Sequence, residues 1–223
     1  MLLLALFFAG ITAVLADDED KQQQQIMDVG KCKYIDYQQL KDNEVNMIAK
    51  LIAEPSTWAV KFAAITEESR MRLNSMVFNV EVEKKTAGFI QKITHLKFAW
   101  QLLGGKSGEK SQQEKVTAFS QDFLKSALPY ADPNGKDAKI EMKYYFLKKD
   151  TLTLQRHGSP KKYEYIYIYK CTNDDRVAKP NIDARYVIFS EGDLNTEEVK
   201  DVAKLDEELM QTFGFSNKLV FVI

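Results

Sequence analysis

The stretch KKYEYIYIYKC, residues 161–171, places a tyrosine at every second position and ends in one of the two cysteines of the chain. Successive side chains of a β-strand point to opposite faces, so this period of two predicts a strand. One row carries Tyr163, Tyr165, Tyr167, Tyr169 and Cys171, and the other carries Glu164, Ile166, Ile168 and Lys170. Both rows contain apolar bulk, so we expect both faces of this strand to be covered.

Similar alternation predicts further strands along the chain, at residues 57–66, 76–83, 89–100, 139–147, 151–157 and 184–190. Turns are predicted at residues 148–150 and 158–160, which separate the later strands. Short strands with turn signals about every ten residues predict an antiparallel sandwich or barrel. Between residues 104 and 135 the pattern does not distinguish strand from helix.

One amphipathic helix is predicted near the C-terminus, in addition to a short helix around residues 43–52. Asn195 is the expected N-cap, with Glu198 three residues later completing a capping box, and Gly214 is the expected stop signal. The apolar stripe of this helix, which we expect to pack on the same domain, consists of Val199, Val202, Leu205, Leu209, Met210 and Phe213. A final strand, KLVFVI, follows.

The chain begins with an apolar run that ends in small residues and precedes an acidic, glutamine-rich stretch. This pattern predicts a signal peptide over residues 1–16, because the run is shorter than the ~20 residues of a membrane span. We therefore expect a secreted, extracellular protein with a polar N-terminal segment at residues 17–31 and one domain at residues 32–223. The net charge of −1 gives no electrostatic footprint for nucleic acid.

The two cysteines, Cys32 and Cys171, most simply form one disulfide in the oxidising compartment that a signal peptide implies. Two separate free thiols are the alternative. A disulfide would tie the N-terminal segment to the tyrosine-rich strand.

Several stretches of the chain resemble lipocalins, which belong to the calycin superfamily. Residues 164–171 are similar to the seventh strand of that family, and residues 184–205 are similar to its eighth strand and the following helix. STW at residues 56–58 stands where the first-strand G-x-W belongs, although Ser56 replaces the glycine. The resemblance implies an all-β fold: an eight-stranded antiparallel up-and-down barrel with a C-terminal α-helix packed outside. It also implies a disulfide like that of insect bilin-binding and apolipoprotein-D-like lipocalins.

Alternate residues of each strand line the interior of such a barrel, which is wide enough for one small ligand. The segment joined to Cys171 must run outside, so the tyrosine row should face outward and the other row inward. Extending this alternation to the other strands predicts a ligand-binding interior and also places Leu152 and Leu154 there. The predicted ligand-binding residues are Trp58, Val60, Phe62, Phe78, Val80, Phe98, Trp100, Met142, Tyr144, Phe146, Ile166, Ile168, Lys170, Arg185, Val187 and Phe189.

Lys170 and Arg185 flank the connection at residues 172–183, which the barrel topology places at the open mouth. Our hypothesis is that these two cations meet the acidic head of a fatty-acid-like ligand, because an anion offsets the cost of a buried positive charge. The alternative is that both side chains extend to water at the rim.

The function that these features predict is a secreted lipocalin-like carrier, which binds or sequesters a fatty acid, sterol, retinoid or bilin in the barrel. A barrel filled by its own side chains is one alternative. Another is a secreted protein-binding or protease-inhibiting lipocalin that acts through outer loops at residues 101–116 and 172–182. Protein partners and the oligomeric state stay open.

No cofactor, metal or catalytic residue is predicted. Haem usually needs an axial ligand, yet His95 falls on the outward row of its strand and His157 precedes a turn at the closed end. A bilin needs no axial ligand, so a bilin is retained among the candidate ligands. The sequence contains no G-x-S-x-G, H-E-x-x-H, C-x-x-C or G-x-G-x-x-G motif. We therefore expect a protein that is not an enzyme.

Overall fold

The computed structural model describes residues 29–35, 56–64, 75–87, 90–103, 110–119, 123–131, 137–176 and 182–222. The predicted signal peptide and the helix predicted around residues 43–52 lie outside these ranges, so both stay predictions. Within them the strands and one helix are β1 (Gly30–Lys31), β2 (Ser56–Ala63), β3 (Ser75–Ala87), β4 (Ile90–Leu103), β5 (Lys110–Phe119), β6 (Phe123–Ala131), β7 (Asp137–Arg156), β8 (Ser159–Thr172), β9 (Ala184–Phe189), α1 (Lys200–Phe213) and β10 (Val220–Phe221).

Strands β2 to β9 form a closed ring. Each of them pairs antiparallel with the next strand along the chain, and β9 returns to pair antiparallel with β2. This order confirms the predicted eight-stranded up-and-down barrel. We call the end with the β2–β3, β4–β5, β6–β7 and β8–β9 connections the upper end, and the opposite end the lower end.

Two of the eight strands, β5 and β6, come from the stretch whose pattern was ambiguous in the sequence. The strands predicted at 139–147 and 151–157 are instead one strand, β7. A β-bulge between Phe146 and Lys148 takes the place of the predicted turn at 148–150. A bulge keeps the chain extended but shifts its register, so the alternation in the sequence is interrupted although the strand continues.

The tight turn between β7 and β8 consists of His157 and Gly158, one residue earlier than predicted. Both residues have positive φ angles, 51° and 80°. Two residues with positive φ fit a two-residue hairpin whose twist matches the flanking strands, and glycine adopts this conformation without steric cost. Ser159 and Pro160 therefore belong to β8.

The predicted capping box of the C-terminal helix is present. The Glu198 N–H donates to Asn195 Oδ1 at 3.0 Å, and the Asn195 N–H donates to Glu198 Oε2 at 3.1 Å. These residues bracket a tighter turn that precedes the helix. The α-helix α1 begins at Lys200 with Val199 as its N-cap residue, so the prediction of Asn195 as the N-cap is wrong, although its hydrogen bonds with Glu198 are present. Gly214 ends the helix with a φ of 64°, and the Phe215 N–H returns to the Met210 carbonyl at 3.1 Å, as in a Schellman motif.

The predicted disulfide joins Cys32 to Cys171, whose Cα atoms lie 4.8 Å apart. It fixes residues 29–35, which we call the strap, against the outer wall, where β1 pairs parallel with the last two residues of β8. The hydroxyl of Tyr169 adds to this attachment, because it accepts the Lys33 N–H at 3.1 Å and donates to the Lys31 carbonyl at 3.2 Å. The tyrosine row therefore faces outward, as predicted.

An apolar layer fills the space between the barrel wall and α1. It contains Tyr163, Tyr165, Tyr167 and Tyr169 from β8, Val199, Val202, Leu209 and Phe213 from the helical segment, and Ile35 from the strap. The apolar stripe of the helix packs on its own domain, as predicted. Within the part of the chain that is described, no helix has the length and hydrophobicity required to span a membrane.

Candidate ligand-binding interior

Strand register identifies the inward face of the barrel, because directly paired residues of neighbouring strands share a face. Ile166 pairs with Ile188, and Ile168 pairs with Phe146 on one side and Tyr186 on the other. On the opposite part of the wall Trp58 pairs with Phe78. The predicted residues that lie on this interior row with described side chains are Trp58, Val60, Phe78, Val80, Met142, Tyr144, Phe146, Ile166, Ile168 and Lys170.

Phe98 and Trp100 share the interior row by register, since Phe98 pairs with Val80 and Trp100 pairs with Phe78. Their side chains lie outside the described set, and their part in ligand binding stays a prediction. The same register places Gln112 opposite Trp100 and Glu114 opposite Phe98 on β5. The interior row is therefore less uniformly apolar in sequence on β5 than on β8.

Three predicted interior residues of β9 lie on the outer face instead. Phe189, Val187 and Arg185 pair directly with Tyr165, Tyr167 and Tyr169, so they share the outward face of the tyrosine row. The prediction of their inward orientation is wrong because both rows of the run ARYVIF contain large side chains. Alternation alone then cannot say which row faces inward.

Arg185 is fully buried between the barrel wall and α1. Its Nε donates to Tyr167 Oη at 2.9 Å and to Asp206 Oδ1 at 3.2 Å, and its Nη2 donates to Asp206 Oδ2 at 3.2 Å. Further donors reach the carbonyls of Asp183 and Asn217. The guanidinium also lies 4.7 Å from the ring centroid of Phe215. Arg185 thus attaches the helix to the wall, and the hypothesis that it meets a ligand with Lys170 is wrong.

Phe62 is a fourth correction, and its cause is a β-bulge. The register of β2 against β9 shifts between Val60 and Phe62, so Val60 faces inward whereas Phe62 pairs with Val187 on the outer face. The Phe62 ring packs edge-on against Phe221 of β10 with centroids 5.5 Å apart. Leu152 and Leu154 also pack on the outer layer, because the bulge in β7 reverses their alternation.

The described interior side chains are closely packed. Phe78, Tyr144, Ile166, Ile168 and Tyr186 each keep 0% of their surface exposed. A side chain beside a water-sized hollow would retain accessible surface, so these five have none next to them. Two thioethers, Met76 and Met142, lie on the same interior row, and methionine is the apolar side chain that adapts its shape most readily.

Two lysines of the interior row have described side chains that are partly or fully buried. Lys149 is near the lower end, where its Nζ lies 3.5 Å from Glu164 Oε1. Lys170 is near the upper end and is 0% exposed. It pairs with Tyr144 and Ala184, and its ammonium lies 5.2 Å from the centroid of the Tyr144 ring. The interior therefore contains a buried positive charge on an aromatic face.

The sequence prediction missed several interior residues, of which Tyr186 and Ile188 are the largest on β9. Only cross-strand register reveals them, through their pairing with Ile168 and Ile166. Ile140, Met76 and Ser126 are further buried members of this row. Ile140 and Met76 continue the alternation of residues that were predicted, whereas Ser126 lies in the stretch whose pattern was ambiguous.

Three buried tyrosines of the outer layer have raised pKa values. Burial raises the pKa of Tyr165 to about 12 and that of Tyr169 to about 12. Burial also raises the pKa of Tyr167, with Arg185 opposing the shift and Asp206 adding to it. On β2, burial lowers the pKa of Lys61, and the nearby Asp193 carboxylate partly offsets this.

His157 lies in the exposed turn at the lower end, and the side chain of His95 lies outside the described set. Among the described residues, no three His, Cys, Asp or Glu side chains gather as metal ligands would. Neither histidine therefore has a described side chain in the interior.

Solved structures with similar folds are found over most of the chain. A major allergen from cockroaches, Per a 4, has a TM-score of 0.46 and 9% identity over 87% of this chain and 93% of its own. Lobster apocrustacyanin A1 has a TM-score of 0.41 and 12% identity over 89% and 91%. Odorant Binding Protein OBP1 has a TM-score of 0.39 and 9% identity over 74% and 88%. No family model and no curated protein matches the sequence. The fold assignment rests on strand order and register.

Proposed function

We propose that this chain is a secreted carrier that binds or sequesters a small hydrophobic ligand inside the barrel. The observation that carries the proposal is the interior row of a closed eight-stranded ring, on which Trp58, Phe78, Ile166 and Ile168 are apolar and buried. Ligand sites are mostly apolar with a few placed polar groups, and an eight-stranded barrel can enclose one small ligand. The Cys32–Cys171 disulfide fits an extracellular location.

Because the described interior side chains are closely packed, we infer that a ligand enters by displacing flexible ones. Met142 is the best placed of these, since it pairs with Ser126 near the upper end of the barrel. A fatty acid, sterol, retinoid or bilin would satisfy the apolar lining equally well. Binding, and not catalysis, is the role that such a lining serves.

Val80 and Glu81 provide a matched pair of positions for a test. They are consecutive on β3, with Val80 buried on the interior row and Glu81 exposed outside. We expect the full chain to bind the fluorescent probe 1-anilinonaphthalene-8-sulfonate or cis-parinaric acid. Val80→Trp should abolish this binding because the indole occupies the interior, whereas Glu81→Trp should leave it unchanged.

Two results would contradict the proposal. If neither probe binds the folded wild-type chain, the interior is filled by its own side chains. If both tryptophan variants retain the unfolding midpoint of the wild type and bind the probes as it does, binding occurs on the outer surface. In that second case, a pull-down with the folded protein as bait would test the alternative that it binds proteins through its outer loops.

A further inference from the structure

The strap forms part of the upper rim of the barrel, where β9 ends before β8 does. The first residue of β9, Ala184, pairs with Lys170 of β8, and the last two residues of β8 pair with β1 instead. In this register Lys31 lies opposite Thr172, which is fully buried. Val29, at the start of the strap, is also buried. The strap therefore takes the place of β9 as the neighbour of β8 at this end.

Two lysines of the strap contact opposite ends of the connection between β8 and β9. At the start of the connection, Lys31 Nζ lies 3.3 Å from the carbonyl oxygen of Asn173 and forms an ion pair with Asp175. At its end, Lys33 Nζ lies 2.9 Å from Oδ2 of Asp183, the residue before β9. Ion pairs with solvent-exposed members contribute little to stability, so the strap depends chiefly on its covalent link.

Cys32, between these two lysines, provides that link. Its disulfide partner, Cys171, is fully buried in β8, whereas Cys32 is partly exposed. The strand pairing of the strap is only two residues long, and the disulfide closes a loop between residues 139 positions apart. A link that closes so long a loop is the strongest attachment the strap has. We call Lys31, Cys32 and Lys33 the clamp.

The two ends of the interior differ in what an entering apolar ligand would meet. At the lower end Lys149 Nζ lies 3.5 Å from Glu164 Oε1 on the interior row, so a ligand would have to displace a charged pair. Toward the upper end the row carries Met142, an adaptable apolar side chain. We therefore expect a ligand to enter and leave by the upper end, which the clamp borders.

We propose that the clamp is a redox-controlled gate. While the disulfide is intact, the strap holds the upper rim closed; reduction by a low-molecular-weight thiol frees the strap and opens the upper end to ligand exchange. This inference rests on the proposed carrier function and concerns the regulation of the same interior. Such a carrier retains its ligand in an oxidising medium, where disulfides persist, and releases it in a reducing one.

Reduction proceeds by two thiol–disulfide exchanges. The external thiolate attacks Sγ of Cys32, the more accessible sulfur, so the bond to Cys171 breaks and the Cys171 thiolate takes up the proton that the external thiol lost. A second external thiolate attacks the external sulfur of this mixed disulfide, and Cys32 leaves as a thiolate that is protonated in the same way. Two external thiols are thereby oxidised to one disulfide while the two cysteines are reduced.

The test measures how fast cis-parinaric acid binds to the full-length chain and dissociates from it. Stopped-flow fluorescence is recorded before and after reduction with dithiothreitol. A gate changes both rate constants by the same factor, because binding and release pass through the same open state. We expect both rate constants to rise about tenfold on reduction, while the dissociation constant changes less than about twofold.

Lys33→Ala tests the clamp in both redox states. In the oxidised chain the disulfide still holds the strap, so we expect this substitution to change the rate constants less than about twofold. In the reduced chain the contact with Asp183 is one of the remaining attachments, so both rate constants should rise further. The control is Lys162→Ala, an exposed position near the other end of β8, which should have no effect in either state.

Hydrogen exchange measured by NMR separates local release of the strap from global unfolding. The Cys32 N–H donates to the Thr172 carbonyl at 3.2 Å, and the Lys33 N–H donates to Tyr169 Oη at 3.1 Å. We expect reduction to speed exchange of these two amides about tenfold, while the amides between β7 and β8 keep their protection. The Cys32→Ala/Cys171→Ala variant supplies the same comparison without a reductant.

The outcomes for the two proposals are distinct. Unchanged rate constants after complete reduction, or an equal effect of Lys33→Ala in both redox states, would overturn the gate and leave the carrier function standing. Faster dissociation with an unchanged association rate would overturn it too, because the strap would then be a ligand contact. Loss of protection throughout the barrel would show that reduction unfolds the chain. Absence of probe binding in either redox state would overturn the carrier function itself.

Discussion

At the scale of single residues, Lys170 and Arg185 show that strand register decides which face of the wall a side chain lies on. The two residues are on adjacent strands near the same end of the barrel. Lys170 faces the interior, whereas Arg185 lies under the helix with Asp206 and Tyr167. Because the guanidinium has its carboxylate partner within the fold, it stabilises the molecule and is not available to a ligand.

The buried ion pair gives a stability prediction. Asp206→Ala leaves the Arg185 charge buried without its carboxylate, so we expect it to cost about 3–5 kcal/mol in the free energy of unfolding. The next residue, Glu207, is exposed on the same helix, and Glu207→Ala should change stability by less than about 0.5 kcal/mol. Urea unfolding of both variants measures the difference. Equal effects of the two substitutions would contradict the structural role of the pair.

The buried tyrosines give a prediction for alkaline pH. Burial raises the pKa of Tyr165 and that of Tyr169 from 10.0 to about 12. Below pH 10 these phenols are protonated in both states and have no effect on stability. Between about pH 10 and 12 the unfolded chain releases protons that the folded chain keeps, so stability falls as pH rises.

Tyrosinate absorbance and the urea midpoint, recorded across the same pH range, check this expectation. A group of tyrosines should ionise only together with unfolding, and Tyr165→Phe should reduce the amplitude of that step. Complete tyrosine ionisation near the ordinary pKa, with an unchanged midpoint, would contradict the buried positions of these side chains.

At the scale of strands and helices, the sequence predicted those elements whose local pattern is regular. The alternation in β8 and the stop signal Gly214 after α1 are local properties, and the structure confirms both. The orientation of Arg185 and Phe62 was not predictable, because it depends on cross-strand register and on a bulge. Strands β5 and β6 were ambiguous because polar side chains recur on both rows, as in KSQQEK at the start of β5.

The capping box gives a prediction at this scale. Asn195→Ala removes the acceptor for the Glu198 N–H, so it should cost about 1 kcal/mol in the free energy of unfolding. The exposed neighbour Glu197 is the control, and Glu197→Gln should have a smaller effect. Thermal or urea unfolding measures both. An Asn195→Ala variant as stable as the wild type would mean that the turn before α1 is stabilised by other contacts.

At the scale of the whole molecule, the disulfide and the helix lie on the outside of a barrel that is closed by strand pairing. The ring is closed by the pairing of strands β2 to β9 with one another, and neither the strap nor α1 supplies a strand to it. The strap is tied to the wall by the Tyr169 hydroxyl and by Lys33, whose Nζ lies 2.9 Å from Asp183 Oδ2, as well as by the disulfide. We therefore expect the barrel to survive reduction with lower stability.

Reduction supplies the corresponding prediction. The disulfide joins residues 139 positions apart, and closing a loop of about this length stabilises a fold by roughly 4–5 kcal/mol in the chain-entropy model. We expect the Cys32→Ala/Cys171→Ala variant to unfold at lower urea concentration while its far-ultraviolet circular dichroism stays that of a β-protein. Loss of the β-spectrum without denaturant would show that closure of the barrel depends on the disulfide.

Native mass spectrometry of the full-length protein, purified from its own source, tests the central claim most directly. If the closed barrel is a carrier, the spectrum should contain the mass of the chain with one small hydrophobic molecule bound, which gentle activation releases. Visible absorbance of the same sample would identify a bilin. The claim would be contradicted by a spectrum that contains only the mass of the unliganded folded chain, both as isolated and after incubation with excess palmitic acid and methyl palmitate.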